Sequence, residues 1–272
     1  MEISDEEYKS LITVIKTKYN IDFSNYEPKS FRRRLARAIG VFKLDGVHGL
    51  WAKLLSDRDF IFDLIDQLTV GLTTLFRDPI MWSDLKTILR LEYSKAPVKV
   101  WHAGCSTGEE VYSMGITMRE AGVVENARVL ATDLNNSSIV HAKKGEYNKS
   151  YFKDFYANYS EFNKMRRLES YLLDNSPETN GIKFNTDLIS HVEFDQRNLV
   201  EFTTKEKFDI IFCRNVMIYF DDEMKRKLLD DFYNKLNKGG KFIVGFYDSI
   251  LPIIDHSKFE MVNERNKIFQ KI

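Results

Sequence analysis

Residues 98–116 read VKVWHAGCSTGEEVYSMGI, and their reading decides the fold. Val98 to Ala103 form a mostly apolar run that suits a buried strand. A turn of small residues follows, from Gly104 to Gly108, and a helix is expected from Glu109 to about Glu120. The same rhythm recurs on either side of this unit. Val129 to Asp133 read as a second strand, followed by a helix from about Ser137 that ends at Gly145. Further strands are expected at Val192–Phe194 and Phe208–Cys213. A helix over Asp222–Leu236 then leads through a turn at Lys238–Gly240 into a strand over Lys241–Phe246. Strands alternating with helices imply a mostly parallel, doubly wound α/β sheet. Phe259–Val262 and Lys267–Gln270 flank a turn at Asn263–Asn266, which reads as a closing antiparallel hairpin.

Before this pattern the chain is helical. Ser4 and Glu7 form a capping-box pair ahead of Tyr8, Leu11, Ile12, Ile15 and Tyr19. A second helix from Pro28 to Phe42 buries Phe31, Leu35, Ile39 and Phe42, and two more are expected around Leu50–Leu55 and Phe60–Leu68. Asp78 with Pro79 is expected to cap a fifth. The pattern changes at Ala96-Pro97, so residues 1–90 are assigned to a small all-α domain and 91–272 to the α/β domain. Residues 146–190 are too long for a plain connection and read as an inserted subdomain.

Composition bounds the class. The chain has 272 residues, with 20 Phe and 13 Tyr, which supplies a substantial core and excludes wholesale disorder. Its two cysteines, Cys105 and Cys213, are too few for a disulfide framework and suit buried thiols in a reducing compartment. The opening MEISDEEYKS is no signal peptide, and no apolar run approaches the roughly 20 residues of a membrane span. A cytoplasmic protein without membrane insertion is expected. Forty basic and 40 acidic side chains cancel, which argues against a general coat for nucleic acid.

Three segments carry chemistry. In Ala103–Glu110 the small residues let a ligand approach the backbone, and the helix start offers unpaired N–H groups. Neither the Walker lysine nor the dinucleotide G-x-G-x-x-G is present, and Glu109 and Glu110 would repel a pyrophosphate. They would welcome a cation such as S-adenosylmethionine, with Asp133 at the end of the next strand for its ribose. Taken singly, Glu109 and Glu110 are equally explained as helix-start acids and Asp133 as a cap. In the second segment, Arg214 and Asn215 emerge at the carboxyl end of a buried strand, where Arg214 has Asp221 as one available acid. The third, Thr73 to Pro79, sets Thr73 and Arg77 in apolar surroundings.

FRRRLARAI, TTLFRDP, VWHAGCSTGEEVYSMGI, ATDLN, RNL and FDIIFCRNVMIYFD occur in that order, and together they resemble the CheR family of chemoreceptor glutamate methyltransferases. The resemblance implies a helical N-terminal domain and a class I methyltransferase domain with a small inserted β-subdomain. It implies S-adenosylmethionine as cofactor, with no metal, and S-adenosylhomocysteine as product. It places cofactor contacts at Thr73, Arg77, Glu110, Asp133, Asn198, Leu199, Arg214 and Asn215, and a functional Tyr at Tyr219. Gly104 joins the expected contacts from the small-residue turn, and Arg77 and Tyr219 are expected nearest the reacting centre. One departure stands out: Gly71 occupies a position where the family usually carries Asn, which removes a hydrogen bond worth about 1 kcal/mol.

The resemblance also implies a partner, the acidic cytoplasmic coiled coil of a methyl-accepting chemoreceptor. Lys29 to Lys43 contains six basic residues and no acid, and Arg33, Arg34 and Arg37 are expected to share the outer face of the second helix. The family's pentapeptide-binding members carry a Gly-x-Gly loop in the inserted subdomain. Between Tyr171 and Ile189 this chain has NSPETNG instead, so a pentapeptide-independent monomer is expected. Two other readings stay open: a CheR-like methyltransferase acting on another protein or a small acid, and a non-catalytic binder of the cofactor or its product. The Asn/Asp-Pro-Pro-aromatic tetrapeptide of nucleic-acid base methyltransferases is missing, which argues against nucleic acid as substrate.

Overall fold

The computed structural model describes residues 3–19, 21–68, 73–174 and 181–272. Gly71 and the turn at 175–180 lie outside the described residues, so the expectations attached to them have no structural counterpart here.

Four helices open the chain. In α1 (Asp5–Tyr19) the capping box forms as expected: Ser4 N–H donates to Glu7 Oε2 at 2.8 Å, and Glu7 N–H donates back to Ser4 Oγ at 3.3 Å. Helix α2 (Pro28–Val41) starts on a carboxylate, Glu27, which accepts from Lys29 N at 3.1 Å and Ser30 N at 2.6 Å. With α3 (Gly46–Ser56) and α4 (Phe60–Leu68) they enclose one apolar core that includes Leu11, Phe23, Phe31, Leu35, Leu50 and Leu64.

Helix α5 (Pro79–Glu92) belongs elsewhere in the packing. The 1–90 assignment grouped it with the first four helices, yet Met81, Trp82, Leu85 and Leu89 are buried in the core that covers one face of the sheet. Leu75 and Phe76 enter the same core, so the change of packing partner falls between Leu68 and Leu75 rather than at residue 90. Asp78, expected to cap α5, makes no such bond. It sits in the left-handed region at φ 59°, and its carboxylate is engaged by a residue of the site.

The sheet is built from β1 (Val98–Ala103), α6 (Glu109–Ala121), β2 (Ala127–Asp133) and α7 (Asn136–Lys144), then an insertion, then the second half. The insertion contributes β3 (Glu146–Asn148), α8 (Phe152–Phe162), β4 (Leu172–Asp174) and β5 (Gly181–Phe184), whose strands pair antiparallel in the order β3-β5-β4. Its anchor is Glu120 of α6, whose Oε1 accepts from Tyr159 at 3.1 Å, Tyr171 at 3.0 Å and Asn163 at 2.6 Å. The second half is β6 (Val192–Gln196), β7 (Phe208–Cys213), α9 (Asp222–Lys235), β8 (Leu236–Val244), β9 (Phe259–Asn263) and β10 (Ile268–Lys271).

The strand order is β6-β2-β1-β7-β8-β10-β9, parallel from β6 through β8, with β10 antiparallel to both its neighbours. This is the doubly wound sheet with its closing hairpin. The expected turn at Lys238–Gly240 is part of β8 instead: Gly239 takes φ +75°, and the register shifts between Phe208 and Ile210. Val100, Ile210 and Phe212 face the α5–α6 side, whereas Trp101 and Ile211 face the α9 side. Two apolar faces leave the strand ends as the place for polar chemistry, and the order reverses between β1 and β7, where open α/β sheets form a crevice.

Candidate functional site

The loop after β1 approaches its neighbours closely because two residues lack a side chain. Gly104 has φ +93°, and a Cβ there would collide with Val216; Gly108 has φ +94°, and its Cβ would lie 2.6 Å from the Cβ of Ala142. Gly104 and Cys105 both donate to Thr132 O at 2.9 Å, which ties the loop to the end of β2. Asp133 completes the tie: Oδ2 accepts from Ser106 N at 2.8 Å and Oδ1 from Asn135 N at 2.9 Å. Burial pushes this carboxyl above its ordinary value, against the pull of those N–H groups. The helix-capping alternative for Asp133 is not realised, because Asn135 caps α7 by accepting from Ser137 N at 2.8 Å.

Adjacent residues on a helix point about 100° apart, so Glu109 and Glu110 cannot serve one ligand. Glu109 turns inward: it is 5% exposed, accepts from Thr107 Oγ1 at 2.7 Å, and burial pushes its pKa up to about 7. Glu110 faces the crevice. Its Oε1 lies 2.7 Å from His102 Nδ1, and its Oε2 accepts from Arg214 Nη1 at 3.0 Å. Burial alone would raise Glu110, but these two neighbours hold it below its ordinary value.

Arg214 does not pair with Asp221, which caps α9 through Met224 N at 2.8 Å. Its second arm, Nη2, donates to Asp78 Oδ2 at 2.6 Å and to Arg77 O at 3.0 Å. A chain His102–Glu110–Arg214–Asp78, running from the buried His102 to the exposed Asp78, therefore links β1, α6, β7 and the segment before α5. That segment is fixed further by Phe76, which adopts φ 49°, stacks on Phe162 at 4.4 Å and donates its N–H to Ser113 Oγ at 2.7 Å. A non-glycine residue in this region costs about 1–3 kcal/mol, and the flanking contacts hold Arg77 in place against it.

The segment after β7 is organised by a residue that the sequence reading missed. Asp248 is 4% exposed, and its carboxylate accepts from Asn215 N at 2.5 Å, Gly245 N at 2.8 Å and Ile218 N at 3.2 Å. Burial raises its pKa to about 6, with the three N–H groups pulling the other way. Beyond it, Tyr219 O accepts from Glu27 N at 2.9 Å, Asp221 N donates to Asn25 O at 3.0 Å, and Tyr26 bridges Phe220 antiparallel. The approach to α2 is thus hydrogen-bonded to the strand-end loop.

These elements surround one cavity of about 500 Å³. Thr73, Arg77, Gly104, Glu110, Asp133, Asn198, Leu199, Arg214, Asn215 and Tyr219 all line it. Tyr26 and Asp66 line it too, and neither was foreseen; they come from the N-terminal helical region, which supplies one wall. Asp66 accepts from the amide of Asn135 and from Ser137 Oγ at 3.4 Å, a long-range pairing with no local sequence signal. Cys105 and Cys213 are both buried free thiols. Among the described residues no cluster of His, Cys, Asp or Glu could hold a metal, and no helix is long and apolar enough to cross a membrane.

The basic helix differs from expectation in one residue. Arg33 and Arg37 are exposed, but Arg34 turns toward the cavity wall, donating to Leu68 O at 2.8 Å with its guanidinium 4.5 Å from the Tyr219 ring centroid. Position 34 lies three residues after Phe31 and four before Ala38, both buried, which puts it on the border of the inner face. Arg32 is engaged as well, by Asp5 at 2.6 Å.

Comparison with known proteins gives a consistent picture. Residues 71–268 match the family model described as CheR methyltransferase, SAM binding domain, and residues 6–69 match the CheR methyltransferase all-alpha domain. A Pseudomonas putida protein named Cher3 is 32% identical over 269 residues, covering 98% of this chain and 97% of that one. The chemotaxis protein methyltransferase 1 of Vibrio cholerae serotype O1 is 31% identical over 280 residues, covering 99% and 98%. The chemotaxis protein methyltransferase of Listeria innocua is 27% identical over 255 residues and covers 93% of each.

Proposed function

Because the chain belongs to the CheR methyltransferase family, we propose that it transfers a methyl group from S-adenosylmethionine to glutamate side chains on the cytoplasmic domain of a chemoreceptor. The products would be glutamyl methyl esters and S-adenosylhomocysteine. The observation that carries this reading is the convergence of ten residues from separate segments on one cavity at the ends of β1, β2 and β7.

The cavity fits the cofactor chemically. Asp133 is a carboxylate at the end of β2, suited to a ribose diol, with its two oxygens oriented by backbone N–H groups. Gly104 leaves backbone exposed where a side chain would intrude, and Leu199 offers an apolar surface beside Asn198. A volume of about 500 Å³ falls in the range of small-molecule sites. The cofactor supplies an electrophilic sulfonium methyl, whose S–C bond breaks as a carboxylate oxygen forms the new O–C bond.

The protein's part is alignment and exclusion of water. A glutamate carboxylate, with a reference pKa of about 4.3, is ionised at neutral pH and needs no base. Arg77 and Tyr219 flank the cavity and are assigned to orienting the reacting groups, an effect that can contribute several kcal/mol. Neither is required to move a proton. Opposite charges are annihilated in the reaction, so a partly desolvated wall favours it.

Arg33 and Arg37, with the exposed Lys29 and Lys43, form the surface assigned to the acidic coiled coil. The test is transfer of labelled methyl to the receptor's cytoplasmic domain, followed by mild base. Release of the label as methanol supports an ester. A base-stable label, or no transfer while S-adenosylhomocysteine binds, favours respectively another acceptor or a non-catalytic binder.

A further inference from the structure

We infer that Arg34 is a positioning residue for Tyr219, so that the docking helix α2 forms a working part of the reaction wall. The inference rests on the proposed reaction and extends it to a residue of the N-terminal helices.

Four observations converge on Arg34. Its guanidinium carbon stands 4.5 Å from the centroid of the Tyr219 ring, within the range of a cation–π contact. Its positive charge also works against the burial that raises the Tyr219 phenol above its ordinary value. Its Nη1 donates to Leu68 O at 2.8 Å, the carbonyl that closes α4 just ahead of the segment carrying Thr73 and Arg77. Among the described residues its Nε is buried without a hydrogen-bond partner, a cost that a purely solvent-facing docking arginine would not carry. One side chain therefore spans α2, the end of α4 and the strand-end loop.

The backbone around it makes the link stiff. Residues 25–27 pair with 219–221 through Glu27 N to Tyr219 O at 2.9 Å and Asp221 N to Asn25 O at 3.0 Å. The Tyr26 and Tyr219 rings lie 6.4 Å apart, a second contact that confines Tyr219. A shift of α2 on docking would be passed to the Tyr219 ring through the Arg34 fork, whereas Arg33 and Arg37 point to solvent and lack this route. Arg34 and its exposed neighbours should accordingly act on different kinetic constants.

The experiment is a double-mutant cycle in the full chain with Arg34→Gln, Tyr219→Leu and the combination, assayed on the receptor's cytoplasmic domain. Arg34→Gln is expected to lower kcat about 10-fold or more, with receptor KM and affinity for S-adenosylhomocysteine little changed. The same substitution in the Tyr219→Leu background, which has no ring to position, should have little further effect, and Arg34→Lys should recover part of the rate. Independent, multiplicative losses, or a rise in KM alone, would overturn the inference. A second readout needs no receptor: in protein labelled with 13Cζ-tyrosine, the Tyr219 signal, identified by its loss in Tyr219→Phe, should move in Arg34→Lys and stay put in Arg37→Gln. An unmoved Tyr219 signal in Arg34→Lys also overturns it. Failure of methyl transfer in the wild-type protein would instead count against the proposed reaction and leave this readout standing.

Discussion

Arg214 Nη1 donates to Glu110 Oε2 over 3.0 Å, and the arginine side chain is 3% exposed. That bond joins the end of β7 to the start of α6 at the point where the strand order reverses. It also explains why Glu110 stays charged in a buried place: His102 and Arg214 oppose the desolvation that would otherwise neutralise it.

Removing Arg214 leaves the Glu110 carboxylate largely buried with only His102 beside it, and breaks the link to Asp78 as well. Arg214→Ala is expected to destabilise the protein by about 3–5 kcal/mol and to abolish binding of S-adenosylhomocysteine. The double variant Arg214→Met with Glu110→Gln should regain part of the stability but none of the binding. Urea denaturation and calorimetric titration measure the two effects; equal recovery of both would show that the pair is structural only.

Asp248 holds Asn215, Ile218 and Gly245 through three backbone bonds. Asp248→Ala removes both acceptor oxygens and with them all three bonds, and is expected to cost about 3 kcal/mol or more, with turnover falling further than cofactor affinity. Asp248→Asn keeps one acceptor oxygen and should fall between. Loss of stability without loss of turnover would detach Asp248 from the positioning of Tyr219.

The pH dependence has a defined sign. Glu109 is raised by burial from 4.5 to about 7, so between those values the folded state binds a proton that the unfolded state has released. Stability from this group is therefore present below about pH 4.5 and lost as pH rises through 7. The full loss is on the order of 3 kcal/mol. Glu109→Gln should flatten the stability profile over that window and be the more stable protein at pH 8. A profile that keeps its slope in the variant would assign the titration to another group, of which Asp248, raised to about 6, has the same sign.

Gly104 carries two constraints, φ +93° and contact with Val216. Gly104→Ala is expected to weaken S-adenosylhomocysteine at least 10-fold by isothermal titration. Val216→Ala should relieve the collision but not the backbone strain, so recovery in the double variant will be partial. Full recovery would reduce the glycine's role to packing alone.

Much of this was legible in the chain because it is local. Apolar spacing located α1 to α5, and the strand-turn-helix at 98–116 located the crevice. The cavity-lining residues sit at strand ends next to recognisable segments. What escaped is long-range. Asp78, Asp66 and Asp248 find their partners across 69 residues (Asp66 to Asn135), 136 residues (Asp78 to Arg214) and 33 residues (Asp248 to Asn215), and no spacing rule encodes that. Two misreadings were recoverable from geometry alone. Helical periodicity places Arg34 beside Phe31 and Ala38, and the 100° step separates Glu109 from Glu110. The grouping of α5 with the N-terminal helices failed for another reason: an amphipathic helix shows which face is buried, not which core it enters.

The proposed function requires this cavity to deliver methyl groups to receptor carboxylates. Its most direct measurement is mass-spectrometric mapping of the receptor's cytoplasmic domain after incubation with the enzyme and S-adenosylmethionine, beside the Asp133→Ala variant. Methyl esters on glutamate side chains are expected, formed by the wild-type protein and missing with the variant. Methylation on nitrogen, or an unmodified receptor in the presence of an enzyme that demonstrably binds S-adenosylhomocysteine, would contradict it.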